Sequence, residues 1–330
     1  MPFSWTERPA LVTGATGIVG SWLCEALLER GARVIALVLD DDPQSRFYTE
    51  DIYKRCSIIR GNLANFSDCM RAINEPGADV VFHLGAQTIV GAALRDPLEC
   101  FESNIRGTYN LLEAARRLPG LATRIVVASS DKAYGESEIL PYTEDMPLRG
   151  NHPYDVSKSC TDLLSHTYAD TYEMCVTIAR CGNIYGAGDL NWSRIVPGTI
   201  RSLHLGERPI LRSDGTMIRD YIYVRDVISA YILLAERCTE DGVRGEAFNF
   251  STGNKHTVLD IVERIGALMK TKADPIIENS ARMEIPAQTL DSAKARKQLS
   301  WSSQCDLDKG LRETIAWYRA FLSRDAVAGR

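Results

Sequence analysis

Tyr154-Asp155-Val156-Ser157-Lys158 sets a phenol and an ammonium four residues apart, on one face of a helix that reads to about Tyr172. A phenol titrates near pH ~10, so alone it is a poor base at neutral pH. A neighbouring ammonium favours the phenolate and makes the pair a means of taking a proton from a hydroxyl. Upstream, Ser130-Asp131-Lys132 places a hydroxyl, a carboxyl and an amine side by side, directly after the apolar run Arg124–Ala128. If that run is a parallel strand, the three side chains emerge at its carboxyl edge, where ligands bind in open α/β sheets. The plainer alternatives are a surface tyrosine near a lysine and a surface ion pair.

Gly14-Ala15-Thr16-Gly17-Ile18-Val19-Gly20 lies between an apolar strand, Ala10-Leu11-Val12, and a helical pattern from Ile18 to Arg30. Gly14 permits the tight turn, Gly17 lets the backbone approach a pyrophosphate, and Gly20 lets helix and strand pack closely. The helix N-terminus then offers amide donors and a favourable dipole to phosphate. Strand, spacing and helix agree, so the reading is a dinucleotide site, with the Gly-x-x-Gly-x-x-Gly spacing of short-chain dehydrogenases. Asp40, Asp41 and Asp42 follow the second strand, where a carboxylate accepts ribose hydroxyls and repels a 2′-phosphate. No arginine closes that strand, so NAD is expected rather than NADP.

These groups need a scaffold, and the first half of the chain alternates strand and helix. Strands are read at Arg33–Leu39, Ser57–Ile59, Val80–Leu84 and Arg124–Ala128, and helices at Ser67–Ile73 and, as one long element, Pro97–Leu118. That rhythm indicates an α/β fold, a Rossmann doubly wound parallel sheet with right-handed crossovers. After Gly182 the elements shorten, with a strand at Val243–Phe250 and helices at Thr257–Met269 and Leu307–Leu322. The expected division is a dinucleotide-binding domain of residues 1–182, to which about 217–248 return. A smaller C-terminal α/β substrate domain takes about 183–216 and 249–330. A frayed tail is expected after Ser323.

The chain has 330 residues, 45% hydrophobic and 25% charged, a composition for a packed globular protein. Its formal net charge of −5 argues against a nucleic-acid or anionic-membrane surface. No apolar run reaches the ~20 residues of a bilayer span, and the first residues lack a signal-peptide pattern. The nine cysteines, Cys24, Cys56, Cys69, Cys100, Cys160, Cys175, Cys181, Cys238 and Cys305, contain no Cys-x-x-Cys pair. They read as reduced thiols without a metal, in a cytoplasmic protein.

From Gly14 to about Trp317 the sequence resembles the extended short-chain dehydrogenase/reductase family of nucleotide-sugar epimerases and dehydratases. The glycine turn and the Tyr154–Lys158 pair are joined by His83-Leu84-Gly85-Ala86-Gln87, Asn104-Ile105-Arg106-Gly107-Thr108 and Ser129-Ser130-Asp131-Lys132-Ala133-Tyr134-Gly135. Arg180-Cys181-Gly182-Asn183-Ile184-Tyr185-Gly186 and Arg219-Asp220-Tyr221-Ile222-Tyr223-Val224 continue the match. The resemblance implies that Gly14, Thr16, Gly17, Ile18, Gly20, Asp40, Asn62, Leu63, Leu84, Ala86, Gln87, Asn104, Tyr154 and Lys158 hold the cofactor. It implies that Gln87, Ser130, Asn183, Arg194, Val196 and Arg219 hold a nucleotide-diphosphate sugar, Arg219 being suited to a bidentate grip on diphosphate. Ser193 and the segment Ile195-Val196-Pro197 join that cleft, and a homodimer through the Pro97–Leu118 and Tyr154–Tyr172 helices is implied as well.

Within the family, simple 4-epimerases need only the tyrosine, the lysine and a hydroxyl. Members that eliminate water carry an acid and a base beside the hydroxyl, and the Asp131–Lys132 version looks like the CDP-glucose 4,6-dehydratase type. The mechanism so implied has Tyr154 and Ser130 at the sugar's 4-hydroxyl, Lys132 taking the C5 proton and Asp131 protonating the departing 6-hydroxyl. It asks for a lowered Lys132 and a raised Asp131, while their mutual contact acts against both shifts. Asn62 stands where the family usually has an aspartate near the adenine, Gly85 replaces a common alanine, and Pro286, in Arg282-Met283-Glu284-Ile285-Pro286, replaces a nucleotide-binding arginine. Arg219-Asp220-Tyr221 also departs from the CDP-glucose subgroup. The competing readings are a 4-epimerase, another dehydratase regiochemistry, and a non-catalytic NAD-binding regulator.

Overall fold

The computed structural model describes residues 3–280 and 285–328. Seven parallel strands form one sheet in the order Ala247–Phe250, β6 (Val176–Cys181), β5 (Arg124–Ala128), β4 (Val80–His83), β1 (Pro9–Thr13), β2 (Arg33–Val38) and β3 (Ser57–Arg60). Chain order reverses between β1 and β4, where Thr13 pairs with His83, and a crevice opens beyond the carboxyl ends of these strands.

Alternate residues of each strand feed opposite layers. Val12, Val34, Ala36, Phe82 and Val126 pack with helices Ile18–Glu29 and Val224–Arg237. Leu11, Ile35, Leu37, Val81 and Val127 pack with Phe66–Asn74, Gly107–Arg116 and Pro153–Tyr172. Burial on both faces explains why these strands read as unbroken apolar runs rather than as alternations.

Three differences from the sequence reading have physical causes. The helix expected over Pro97–Leu118 is divided into Pro97–Phe101, a π-turn at Glu102–Arg106 and Gly107–Arg116. Within that turn the Asn104 carbonyl accepts Thr108 Oγ1 at 2.6 Å, and the Asn104 side chain leaves the helix to bind its surroundings. Such widened turns mark positions where a side chain has work elsewhere. Strand β6 went unread because Thr177 and Arg180 interrupt its apolar pattern. All six residues are nevertheless buried, and Arg180 is neutralised by Asp162. The last helix runs Leu307–Ala328, through the tail expected to fray.

The remainder caps the carboxyl edge. Short ladders join Asn183–Tyr185 to Tyr221–Tyr223 and Ile218–Arg219 to His256–Thr257. Helix Ile195–His204 packs against Val258–Met269 and the last helix, and Tyr318 Oη donates to the Asp189 carbonyl at 2.5 Å. Among the described residues no helix is long and apolar enough to cross a membrane.

Candidate active site

At the carboxyl end of β1, Thr13 Oγ1 accepts the Leu84 and Gly85 amides, each at 2.9 Å, and so fastens the loop after β4. Gly14 turns the chain with φ +68°, and a Cβ there would lie 2.9 Å from Gly85 Cα. A Cβ on Gly20 would lie 2.1 Å from the Gly14 carbonyl oxygen, so strand and helix touch backbone to backbone. At Gly17 the nearest atom to a Cβ is 3.4 Å away. The space that Gly17 leaves faces the cleft, not the core. Gly17 caps helix Ile18–Glu29, with no side-chain cap and no acidic residue in the first turn. Uncapped amides at a helix start form a seat for phosphate.

Gly14, Thr16, Gly17, Ile18, Gly20, Leu84 and Ala86 all line a cleft of about 1170 Å³. Asp40, Asn62, Leu63, Gln87 and Asn104 stand outside that lining. Asp40 is exposed, and Asp42 takes the place on the cleft. Asp41 binds Tyr48 Oη and pairs with Arg60 at 2.6 Å, Arg60 lying opposite Val38 on the next strand. An arginine therefore does stand at this turn, supplied by β3. Asn62 Oδ1 accepts the Ala64 amide at 2.8 Å, and the Asn62 amide donates to Asp68 at 2.9 Å. At Gly85 an alanine Cβ would meet Leu63 Cδ1 at 2.7 Å, the movable end of a side chain, and Thr13 Oγ1 at 3.2 Å.

Asn104 is 1% exposed and acts as a clamp. Its Oδ1 accepts the Gln87 amide at 2.7 Å, while Nδ2 donates to the Gln87 carbonyl at 3.0 Å and to Ser157 Oγ at 2.8 Å. The loop after β4 is thus tied to helix Pro153–Tyr172. The Gln87 side chain caps its own loop through Ile89 N–H at 2.9 Å.

The five chemical residues converge on the cleft. Ser130 caps a 3₁₀ turn, Asp131–Tyr134, and donates to Asp131 Oδ1 at 2.9 Å. Asp131 is buried, and its Oδ2 has no hydrogen-bond partner among the described residues. Burial raises its pKa, against the opposing pull of Lys132, Ser130 and Arg219. Enclosure also pushes the Tyr154 phenol up, while Arg194 and a hydrogen bond with Ser130 pull it down. Lys158 Nζ donates to the Ala128 carbonyl at 2.8 Å and lies 6.0 Å from the centre of the Tyr154 ring. Burial lowers its pKa to about 8, with Cys100 and Asp162 opposing. Lys132 Nζ donates to Gln288 Oε1.

A buried polar frame holds this turn. Arg180 grips Asp162 through Nε at 2.9 Å and Nη2 at 2.7 Å, and reaches Tyr134 Oη with Nη1 at 2.7 Å. Tyr134 Oη in turn donates to Asn249 Oδ1 at 2.8 Å on the outermost strand. The helix, the strand and the 3₁₀ turn are thereby fixed by one guanidinium.

Opposite stand Asn183, Arg194, Val196 and Arg219. Asn183 Nδ2 is buried without a partner among the described residues, a donor suited to an oxygen-rich ligand. Arg194 binds Asp189 Oδ2 at 3.0 Å and Thr88 Oγ1 at 3.2 Å, crossing the mouth of the cleft. Arg219 donates to the Ile218 carbonyl at 2.9 Å and the Pro286 carbonyl at 3.4 Å. Pro286, expected to have displaced an arginine, thus sits against one; Arg282, Met283 and Glu284 lie outside the described residues.

Residues 10–250 match the NAD dependent epimerase/dehydratase family. The chain belongs to that family. Among the relatives of this epimerase/dehydratase is a CDP-glucose 4,6-dehydratase of Salmonella typhimurium, 29% identical over 96% of this chain and 92% of the relative. The structure is similar to a UDP-glucose 4-epimerase of Thermotoga maritima solved with UDP-glucose, with TM-score 0.86, 26% identity and coverage of 96% and 100%. It is also similar to a dTDP-glucose 4,6-dehydratase of Streptomyces venezuelae solved with NAD, with TM-score 0.84, 25% identity and coverage of 95% and 97%. The cofactor of the family is NAD, and the uncapped helix start and the room beside Gly17 fit its pyrophosphate. The protein is an enzyme of the nucleotide-sugar dehydratase and epimerase class.

Sequence reasoning missed Gln288, Thr88, Asp189 and the Arg180–Asp162–Tyr134 frame. Only the charge of Arg180 inside an otherwise apolar run was a signal, since a buried guanidinium requires a buried acid.

Proposed function

We propose that this epimerase/dehydratase is a nucleotide-sugar 4,6-dehydratase. The observation that carries the reading is Asp131, a buried carboxyl kept toward its protonated form, directly between the hydroxyl of Ser130 and the amine of Lys132. A 4-epimerase has no use for a proton donor at that place, whereas loss of a hydroxyl group needs one.

NAD, held at the glycine turn, would supply the hydride acceptor for the sugar's C4 and the hydride donor for C6. Tyr154 takes the proton of the 4-hydroxyl, with Ser130 bonded to the same oxygen. The resulting ketone acidifies the proton at C5. Lys132 removes that proton, the C–H electrons form a C5–C6 double bond, and the C6–O bond breaks. Asp131 supplies the proton that lets the hydroxyl leave as water, and Lys132 returns its proton to C5 to complete the 4-keto-6-deoxy sugar. Lys158 supports Tyr154 and the cofactor ribose. Asn183, Arg194 and Arg219 hold the diphosphate, and Val196 lies against the nucleoside. A homodimer formed through Pro97–Phe101 and Pro153–Tyr172 fits the exposure of Leu98 and Leu163, 68% and 57%, and a cytoplasmic site fits nine free thiols.

The test incubates the protein with CDP-, GDP-, dTDP-, UDP- and ADP-sugars and weighs the products. Loss of one water from one substrate, abolished by Lys132→Ala, is the expected result. An unchanged mass with a new stereoisomer makes the chain a 4-epimerase instead.

A further inference from the structure

Lys132 reaches across the cleft edge to a residue 156 positions away, Gln288, whose Oε1 accepts its Nζ. Gln288 is fully buried, behind the residues that line the cleft. Its backbone is strapped on both sides. The Gln288 amide donates to the Ile218 carbonyl at 3.0 Å, and the next carbonyl, Thr289, accepts Tyr142 N–H at 2.8 Å. Asp291 N–H then donates to the Tyr142 carbonyl at 2.9 Å. The segment cannot slide, so the carboxamide is a fixed anchor for a long, flexible side chain.

The chemistry of that anchor matters. A carboxamide oxygen accepts an N–H from an amine and from an ammonium alike, whereas a carboxylate at the same place would hold the ammonium. Around the Asp131–Lys132 pair stand Arg219 from strand Ile218–Arg219, Asp220 beside it, Cys181 at the end of β6, Tyr154 from the long helix, and Tyr142 from the loop after the 3₁₀ turn. Arg219 acts on Asp131 as a positive charge, and Asp220 stands on the same side as a carboxyl coupled to Asp131. The Gln288 side chain also lies against the Tyr142 hydroxyl, whose pKa it draws down against burial. We propose that Gln288 is a positioning residue for Lys132. It holds the amine by an uncharged acceptor, so that the nitrogen lone pair stays directed at the substrate's C5 proton. The proposal rests on the dehydratase reading.

In the step concerned, the C5 proton passes to Lys132 Nζ, its bonding pair forms the C5–C6 double bond, and the C6 hydroxyl departs as water with the proton from Asp131. Gln288→Glu keeps shape and adds charge; Gln288→Met keeps volume and removes the acceptor. Both are compared with the native enzyme by kcat and KM, by deuterium isotope effects at C4 and C5, and by the pH profile of water loss. In both variants kcat should fall about 10- to 100-fold with KM within about 2-fold, the loss expected for a displaced base. The C5 isotope effect should grow and the C4 effect shrink. In Gln288→Glu the rising limb of the pH profile should move upward by about one unit or more, restoring rate at high pH; Gln288→Met should show no such recovery. Native rates, isotope effects and pH profile in Gln288→Glu would overturn the proposal, as would a slowing confined to the C4 isotope effect. Should Gln288→Met not fold, the isosteric variant decides alone. Water loss that proceeds unaltered in the variants overturns this proposal only; no water loss by the native enzyme from any sugar nucleotide overturns the dehydratase reading and the proposal with it.

Discussion

The turn after β1 and the turn after β5 open onto the same cleft, with β4 between them, and are built in opposite ways. The first keeps its shape through atoms that are missing: Gly14 and Gly20 let backbone lie against backbone, with the Thr13 hydroxyl pinning the neighbouring loop. The second keeps its shape through buried polar side chains, with Asp162, Arg180, Tyr134 and Asn249 linked in series behind Ser130 and Asp131. A site for a rigid diphosphate needs a fixed hollow lined by amides. A site for proton transfer needs groups whose charge is controlled by their neighbours. The first turn is therefore intolerant of added volume and the second of lost partners.

Breaking the second turn gives the largest expected effect. Asp162→Ala leaves Arg180 buried and unpaired, and should cost about 3–5 kcal/mol in a denaturant titration. Burial pushes the Asp162 carboxyl up, but the bonds from Arg180 and His166 outweigh it and leave its pKa at about 2. A folded pKa below the unfolded one means that this stability is present at neutral pH and is lost as pH falls toward 2. The gap between native and variant should close over that acid window.

In the first turn the same change at two glycines separates shape from function. Gly20→Ala forces backbone apart at 2.1 Å and should cost about 2–4 kcal/mol with loss of NAD binding. Gly17→Ala meets nothing closer than 3.4 Å; it should change stability by less than about 1 kcal/mol, yet weaken NAD binding about tenfold or more. Calorimetric titration beside thermal melts reads both, and equal stability losses at the two positions would remove the distinction drawn between them.

The smallest expected effect has the opposite sign. Lys158 is buried with its pKa lowered to about 8 from 10.5, so holding it charged costs stability. That cost is full below pH 8 and disappears as pH rises toward 10.5. Lys158→Met in the NAD-free protein should be more stable by about 1–2 kcal/mol at pH 7, after loss of the bond to Ala128, and inactive. A melting-temperature difference that does not shrink between pH 8 and 10 would argue against a buried charge there.

How much of this was legible in the sequence follows the same division. The glycine turn and the Tyr154–Lys158 pair are local, so their spacing alone announces them. The parallel sheet was readable from apolar runs because both faces are covered. What stayed hidden depends on partners distant along the chain. Arg180 made β6 look too polar until Asp162 met it. Gln288 carries no motif and gains meaning only from Lys132. Asn104 lies in a motif that was read as a cofactor contact, while its side chain clamps the Gln87 loop to Ser157. Of the three consecutive acids after β2, Asp42 is the one that lines the cleft, which their spacing alone does not tell.

Arg194 carries one more consequence. Its guanidinium already has a carboxylate, Asp189, and a hydroxyl, Thr88, as partners. In the proposed function a diphosphate would take the place of the hydroxyl, with Asp189 kept on the other arm, and so release the bond that joins the two walls of the cleft. Each arrival would also unfasten the mouth through which the next departure takes place.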